Sequence, residues 1–246
     1  ATERVATTTD LTPIESVRDD EIGRLAASFN TMLASLAAAR ERERQLVADA
    51  GHELRTPLTS LRTNLDLLAQ EGTSGRSLAD DDRAALLSDV RDQIGELGHL
   101  VDDLVQLSRG VEPSGTWETL DLAGVVEDAL ARVRRRARDV TFEVALSPWW
   151  VTGDAAALGR AVTNLLDNAV KWSPPASTVI VQLHDGLLSV ADEGPGVDPQ
   201  DRAHVFDRFY RSAGARSQPG SGLGLAIVAQ AGTQHGGTVS VGESPS

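Results

Sequence analysis

The chain has 246 residues, of which 23 are basic and 36 acidic, giving a formal net charge of −13. Hydrophobic residues make up 41% and charged residues 24%, a globular balance with length for one large domain or two smaller ones. Cysteine is absent, which excludes a disulfide scaffold and thiolate metal sites and suits a reducing compartment; the acidic excess argues against nucleic acid as a partner. No apolar run has the roughly 18–20 residues of a membrane span, and no signal peptide is visible. Every basic residue except Lys171 is arginine.

Residues 1–18 have weak periodicity and a turn-like Thr12-Pro13. Ile22, Leu25, Phe29, Met32 and Leu36 then follow a 3,4 spacing, the seam of a helix that pairs with another. Residues 37–45 are helical and mixed in charge without a clear seam. It resumes at Leu54, Leu58, Leu61, Leu65 and Leu68. Residues 71–82 are rich in Gly, Ser and Asp and predict a turn. Leu87, Val90, Ile94, Leu97, Val101 and Leu104 form a second seam. Two such helices joined by a turn make a hairpin, and seams this narrow close best against a second copy, as a dimeric four-helix bundle. Gly110–Gly115 reads as a linker. Beyond it the pattern predicts helix over Leu122–Arg138, strand over Val140–Leu146 and helix over Leu158–Val170. Strands over Thr178–Leu183 and Leu187–Val190 flank a hairpin turn at His184-Asp185-Gly186. A helix over Leu225–Gln234 and a strand over Thr238–Val241 complete the series. Helices and strands do not alternate regularly, so the prediction is an α+β layer and not a doubly wound sheet.

The run His52-Glu-Leu-Arg-Thr-Pro57 opens the first helix of the predicted hairpin. His52 is two residues from Leu54, about 200° around the helix, so it faces solvent. Histidine is generally neutral near pH 7, which makes an exposed one a usable nucleophile. Glu53 stands beside it to orient the imidazole or take its proton. Pro57 has no N–H, leaves the Glu53 carbonyl without its helical partner, and is expected to bend the helix. A zinc-protease reading needs a second histidine where the chain has Thr56.

Asn164, Asn168 and Lys171 recur at i, i+4 and i+7 and share one helix face. Two amides and one ammonium suit a polyanion with its metal: an amide oxygen is a hard ligand for Mg²⁺, and lysine is a point charge for phosphate. Asp192-Glu-Gly194-Pro-Gly196 follows a predicted strand; a buried Asp192 there can accept from an exocyclic amine such as that of adenine. Gly220-Ser-Gly222-Leu-Gly224 opens a helix whose first N–H groups form an anion site. Arg208 and Arg211 precede a Ser/Ala/Gly/Pro stretch, residues 212–219, that reads as a lid. The basic cluster Arg132–Arg138 reads as a solvated face and Trp149-Trp150 as packing. His99, His184, His204 and His235 show no shared metal spacing.

In this order the motifs resemble the cytoplasmic half of a two-component sensor histidine kinase, nearest to the actinobacterial MprB type. Asp20–Leu25 resembles the second half of a HAMP signal relay, His52–Pro57 the H box, and Asn164–Trp172 the N box. Asp192–Gly196 resembles the G1 box, Val205–Arg211 the F box, and Gly220–Gly224 the G2 box. The resemblance implies a relay fragment over 1–40, a dimerisation and phosphotransfer hairpin over 41–110, and an ATPase domain, a two-layer α+β sandwich, over 111–246. It implies ATP as donor and His52 as acceptor, Glu53 as base or orienter, and Thr56 in dephosphorylation of a response regulator. Asn168 would hold Mg²⁺, Asn164 and Lys171 the phosphates, Asp192 the adenine amine, and Arg211 the terminal phosphate, with Gly194, Gly196, Gly220, Gly222 and Gly224 shaping the pocket. The implied partners are a second copy and a response regulator. The implied place is the cytoplasmic side of a membrane sensor whose spans lie upstream. Trp172 stands where the family usually has tyrosine, and the resemblance implies a final strand beyond Val241 that the chain does not include. A chaperone- or topoisomerase-like ATPase leaves the His52 hairpin unexplained. A relay without catalysis leaves Asn168, Asp192 and the glycines unexplained.

Overall fold

A computed structural model describes residues 21–74, 79–108, 117–137, 139–215, 218 and 220–243. The expected turn at Thr12-Pro13, the middle of the hairpin turn, the Gly110–Gly115 linker and part of the lid stretch lie outside the described residues. The chain divides into two units, Ala1–Ser60 and Leu61–Ser246.

The described part of the first unit is helix α1 (Glu21–Ser74), which continues into the second. The sequence predicts a fresh helix start near His52; instead His52 lies within one unbroken helix. Residues 37–45 explain this, being only Ala, Arg, Glu and Gln, all good helix formers, with no Gly or Pro to stop propagation. The helix also runs to Ser74, into the predicted turn. In the single chain the seam residues Ile22, Leu25, Met32 and Leu36 are exposed, whereas Ala26, Leu33 and Leu46 are buried.

The second unit holds the end of α1, then α2 (Asp80–Ser108), followed by a mixed layer. Strand β1 (Glu118–Asp121) pairs antiparallel with β3 (Trp150–Gly153). Neither strand is foreseen by the sequence, because four residues are too few for a period-2 pattern to emerge. Strand β2 (Thr141–Leu146) lies parallel to β4 (Thr178–His184), which pairs antiparallel with β5 (Leu187–Ala191). The parallel pair needs a crossover, supplied by β3 and helix α4 (Ala155–Trp172). At the β4–β5 turn Asp185 and Gly186 both have positive φ, 49° and 77°, the conformation of a two-residue hairpin.

Helix α3 (Leu122–Arg134) is capped by Asp121, whose carboxylate accepts from Ala123 N at 3.1 Å. Asp154 caps α4, accepting from Ala156 N and Ala157 N at 2.9 and 3.0 Å. The core forms where Val126, Ala129, Leu130 and Val133 of α3 meet Val162, Leu166 and Ala169 of α4 and Val179 and Val181 of β4. Each such aliphatic side chain contributes about 1.5–3 kcal/mol on burial. Helix α5 (Gly224–Gln234) packs on α4 through Ala161, Val228 and Ala231, and also contacts α2. The α+β layer therefore stands as predicted. The predicted strand over Thr238–Val241 does not form: the segment joins no ladder, and Val239 is held by packing on the Ala161–Val228–Ala231 cluster. Helix α3 also stops at Arg134, short of Arg138.

Candidate functional site

In the first unit, His52 is exposed on α1, with Thr56 exposed one turn on and Glu53 half-buried between them. Pro57 sits inside the helix. With no N–H at Pro57, the Glu53 carbonyl has no i+4 donor, so the backbone is weakest immediately beside the imidazole.

The second site is built on α4. Asn164, Asn168 and Lys171 share one face, as spaced. Asn164 Nδ2 donates to Arg160 O at 3.2 Å, and a Cβ on Gly224 would lie 2.9 Å from Asn164 Oδ1. At the other end, a Cβ on Gly220 would lie 3.1 Å from Lys171 Nζ. The glycine loop thus runs along this face, with Gly224 against Asn164 and Gly220 against Lys171. Gly222 has φ 73°, and a Cβ there would meet the Phe209 backbone at 2.9 Å; Phe209 N donates to Gly222 O at 3.1 Å. Glycine is required where two backbones touch this closely.

Trp172 Nε1 donates to Asn168 Oδ1 at 3.2 Å, and Lys171 Nζ lies 5.0 Å from the Trp172 ring centre. The tryptophan in the expected tyrosine position therefore orients the amide and faces the ammonium. One lone pair of Asn168 Oδ1 remains for a hard cation. Among the described residues no group of three or more His, Asp or Glu assembles a metal site. The Lys171 pKa is lowered, first by desolvation and then by the Arg211 charge, with Glu96 opposing.

Asp192 directly follows β5. It is half-buried where the sequence implied burial, and Oδ1 accepts from Gly194 N at 2.8 Å. A Cβ on Gly194 would lie 2.8 Å from Trp172 O, so this turn abuts the end of α4. Gly196 has φ 73° with open space around it. The Arg211 guanidinium donates to Ala215 O at 2.6 Å and to Gln218 O, organising the described lid residues around itself. Asn164, Asn168, Lys171, Gly194, Gly220, Gly222 and Gly224 are brought together by these contacts.

Three features had no sequence signal. Tyr210 Oη donates to Asp201 at 2.6 Å, tying the segment before the lid. His235 Nε2 accepts from Asp154 N at 3.0 Å while Nδ1 donates to Ala231 O at 2.7 Å, and its ring stacks on Trp117 at 5.2 Å. Ser221 Oγ donates to Asp103 Oδ2 of α2 at 3.0 Å. The Asp154–His235, Trp117–His235 and Ser221–Asp103 contacts are long-range pairings that spacing does not reveal.

Three family models match. The HAMP domain matches residues 1–38, the His Kinase A (phospho-acceptor) domain residues 42–113, and the histidine kinase-, DNA gyrase B- and HSP90-like ATPase residues 153–246. Relatives called signal transduction histidine-protein kinase/phosphatase MprB are 54% identical in Mycolicibacterium vanbaalenii and 53% in Mycolicibacterium smegmatis. The alignments take in 98% and 99% of this chain and 51% of each relative, so the chain spans about half the length of the curated relatives it matches. Among solved structures, Acinetobacter baumannii histidine kinase AdeS is 29% identical with a TM-score of 0.55, covering 74% of this chain and 86% of that one. Full-length ShkA in complex with AMPPNP is 28% identical with a TM-score of 0.54, covering 82% and 43%. With its HAMP, HisKA and HATPase_c domains in that order, the chain belongs to the sensor histidine kinases.

Proposed function

We propose that this chain autophosphorylates His52 from ATP and passes the phosphoryl group to an aspartate of a partner response regulator, and that it also dephosphorylates that regulator. The observation that carries the reading is the glycine loop laid along the Asn164–Asn168–Lys171 face, in a chain that displays an exposed His52 beside a half-buried Glu53 on a helix. The complex of full-length ShkA with AMPPNP and the kinase/phosphatase name of the MprB relatives support it.

The chemistry asks the protein mainly for alignment and charge neutralisation. Asn168 Oδ1 would hold Mg²⁺, which would supply neutralisation of phosphate charge. Lys171, Asn164 and the N–H groups opening α5 hold phosphate oxygens, and Arg211 exchanges its lid carbonyls for the terminal phosphate. Asp192 accepts from the adenine amine while Gly194 and Gly196 admit the ring. The unprotonated imidazole nitrogen of His52 attacks phosphorus in line, the bond to the ADP oxygen breaks, and the proton on the other ring nitrogen passes to Glu53. Thr56 serves the hydrolysis of the regulator's aspartyl phosphate, in which water takes the phosphoryl group. A domain division at residues 40 and 110 belongs to this reading. So does a place on the cytoplasmic side of a membrane sensor: no described helix is long and apolar enough to cross a membrane.

Incubation with γ-labelled ATP is expected to place acid-labile, base-stable label on the chain, and His52→Gln to abolish it. Label surviving that change overturns the assignment. Asn168→Ala is expected to remove the label with the sedimentation coefficient unchanged; a changed coefficient makes Asn168 structural.

A further inference from the structure

Helix α2 reaches the nucleotide-site loop directly. Ser221, between Gly220 and Gly222, spends its hydroxyl proton on Asp103 Oδ2 at 3.0 Å while its Oγ accepts from Leu223 N at 3.2 Å. Leu223 precedes α5, and its N–H is among the donors that open the helix. The Asp103 carboxylate therefore occupies, through one hydroxyl, the kind of helix-terminus position that a phosphate oxygen takes. Glu96 lies seven residues earlier on the same face of α2 and acts electrostatically on Lys171. Helices α2 and α5 also contact each other directly.

We propose that this contact is an autoinhibitory latch, in which Asp103 of α2 pins the glycine loop through Ser221 and competes with nucleotide phosphate for it. The inference rests on the reading of the α4 face as a nucleotide site. In the latched state a triphosphate meets a carboxylate at the loop and a second one, Glu96, beside the lysine. Both repel it, and one loop N–H is already engaged. Binding then requires the loop to leave α2, so the apparent affinity is reduced by the latched fraction. The Asp103 carboxyl is raised in pKa chiefly by burial and further by Asp102, against the lowering effects of the Ser221 bond and of His99.

The test is calorimetric titration of the 246-residue chain with AMPPNP and Mg²⁺. Asp103→Ala is expected to tighten binding by about three- to tenfold, corresponding to a latched fraction of roughly two-thirds to nine-tenths. Asp103→Asn, which keeps an acceptor, is expected to tighten it less. In a Ser221→Ala background the Asp103→Ala effect is expected to shrink to under about twofold, because the two residues act as a unit. Equal affinity for the parent and the Asp103→Ala chain overturns the latch and leaves the nucleotide site standing. An undiminished effect in the Ser221→Ala background also overturns it, leaving general charge repulsion. No binding to any chain overturns the nucleotide-site reading and the latch together.

Discussion

Lys171 shows how much one residue type reveals when the rest of the chain avoids it. Arginine fills every other basic position, yet a lysine ends the amide-bearing face of α4. Its lowered pKa sets a sign for pH dependence. Desolvation and the Arg211 charge favour the neutral amine in the free protein, while bound phosphate favours the ammonium. Nucleotide binding is therefore coupled to proton uptake in the window between the lowered pKa and the ordinary lysine value of 10.5. Affinity is expected to fall as pH rises through that window. Calorimetry in buffers of different ionisation enthalpy reads the uptake, and Lys171→Arg, which stays charged, is expected to abolish it. The Asp192–Gly194 turn and the Trp172–Asn168 bond belong to the same scale: sequence names the residues, and geometry shows how one side chain aims the next.

At the scale of elements, the glycine loop and α4 form a matched pair. Gly222 combines positive φ with backbone contact to Phe209, so Gly222→Ala incurs both conformational strain and a clash. A cost of about 1–3 kcal/mol in stability is expected, read as a lower urea midpoint, with nucleotide affinity reduced at least about tenfold. The elements themselves were legible to different degrees. Helices α3, α4 and α5 and the β4–β5 hairpin emerged from periodicity and turn chemistry, because each buries a continuous face or needs positive φ at two adjacent residues. Strands β1 and β3 did not, since they are short and defined by each other. The Thr238–Val241 segment has strand-like composition without a neighbour to pair with among the described residues, so composition misled there. The absence of a helix start at His52 is the opposite case: residues 37–45 carry no stop signal, and helix propagates through them.

For the whole molecule, the apolar seams matter most. Leu58 and Leu65 of α1 and Leu87, Ile94, Val101 and Val105 of α2 remain exposed in the single chain, between 40% and 56% each. Rows of this kind mark a surface awaiting a partner, and a helical hairpin closes them most simply with its own copy. Ile94→Glu is expected to shift the chain from dimer to monomer in sedimentation equilibrium, by placing a charge in the seam. Nucleotide binding by the α+β layer is expected to survive, since its core lies in α3, α4 and β4. A dimer that persists in this variant places the interface elsewhere.

The sequence by itself determined the order of the family domains and the α+β class, and it named the residues from which the candidate site is read. Those properties reside in local periodicity, turn residues and motif spacing, which the chain carries regardless of how it packs. Only the tertiary structure decided which residues meet across long separations: the glycine loop along the Asn164–Lys171 face, His235 beneath Asp154, and Ser221 on Asp103. Such contacts arise from the packing of whole elements, and no regular interval in the sequence encodes a contact between residues this far apart along the chain.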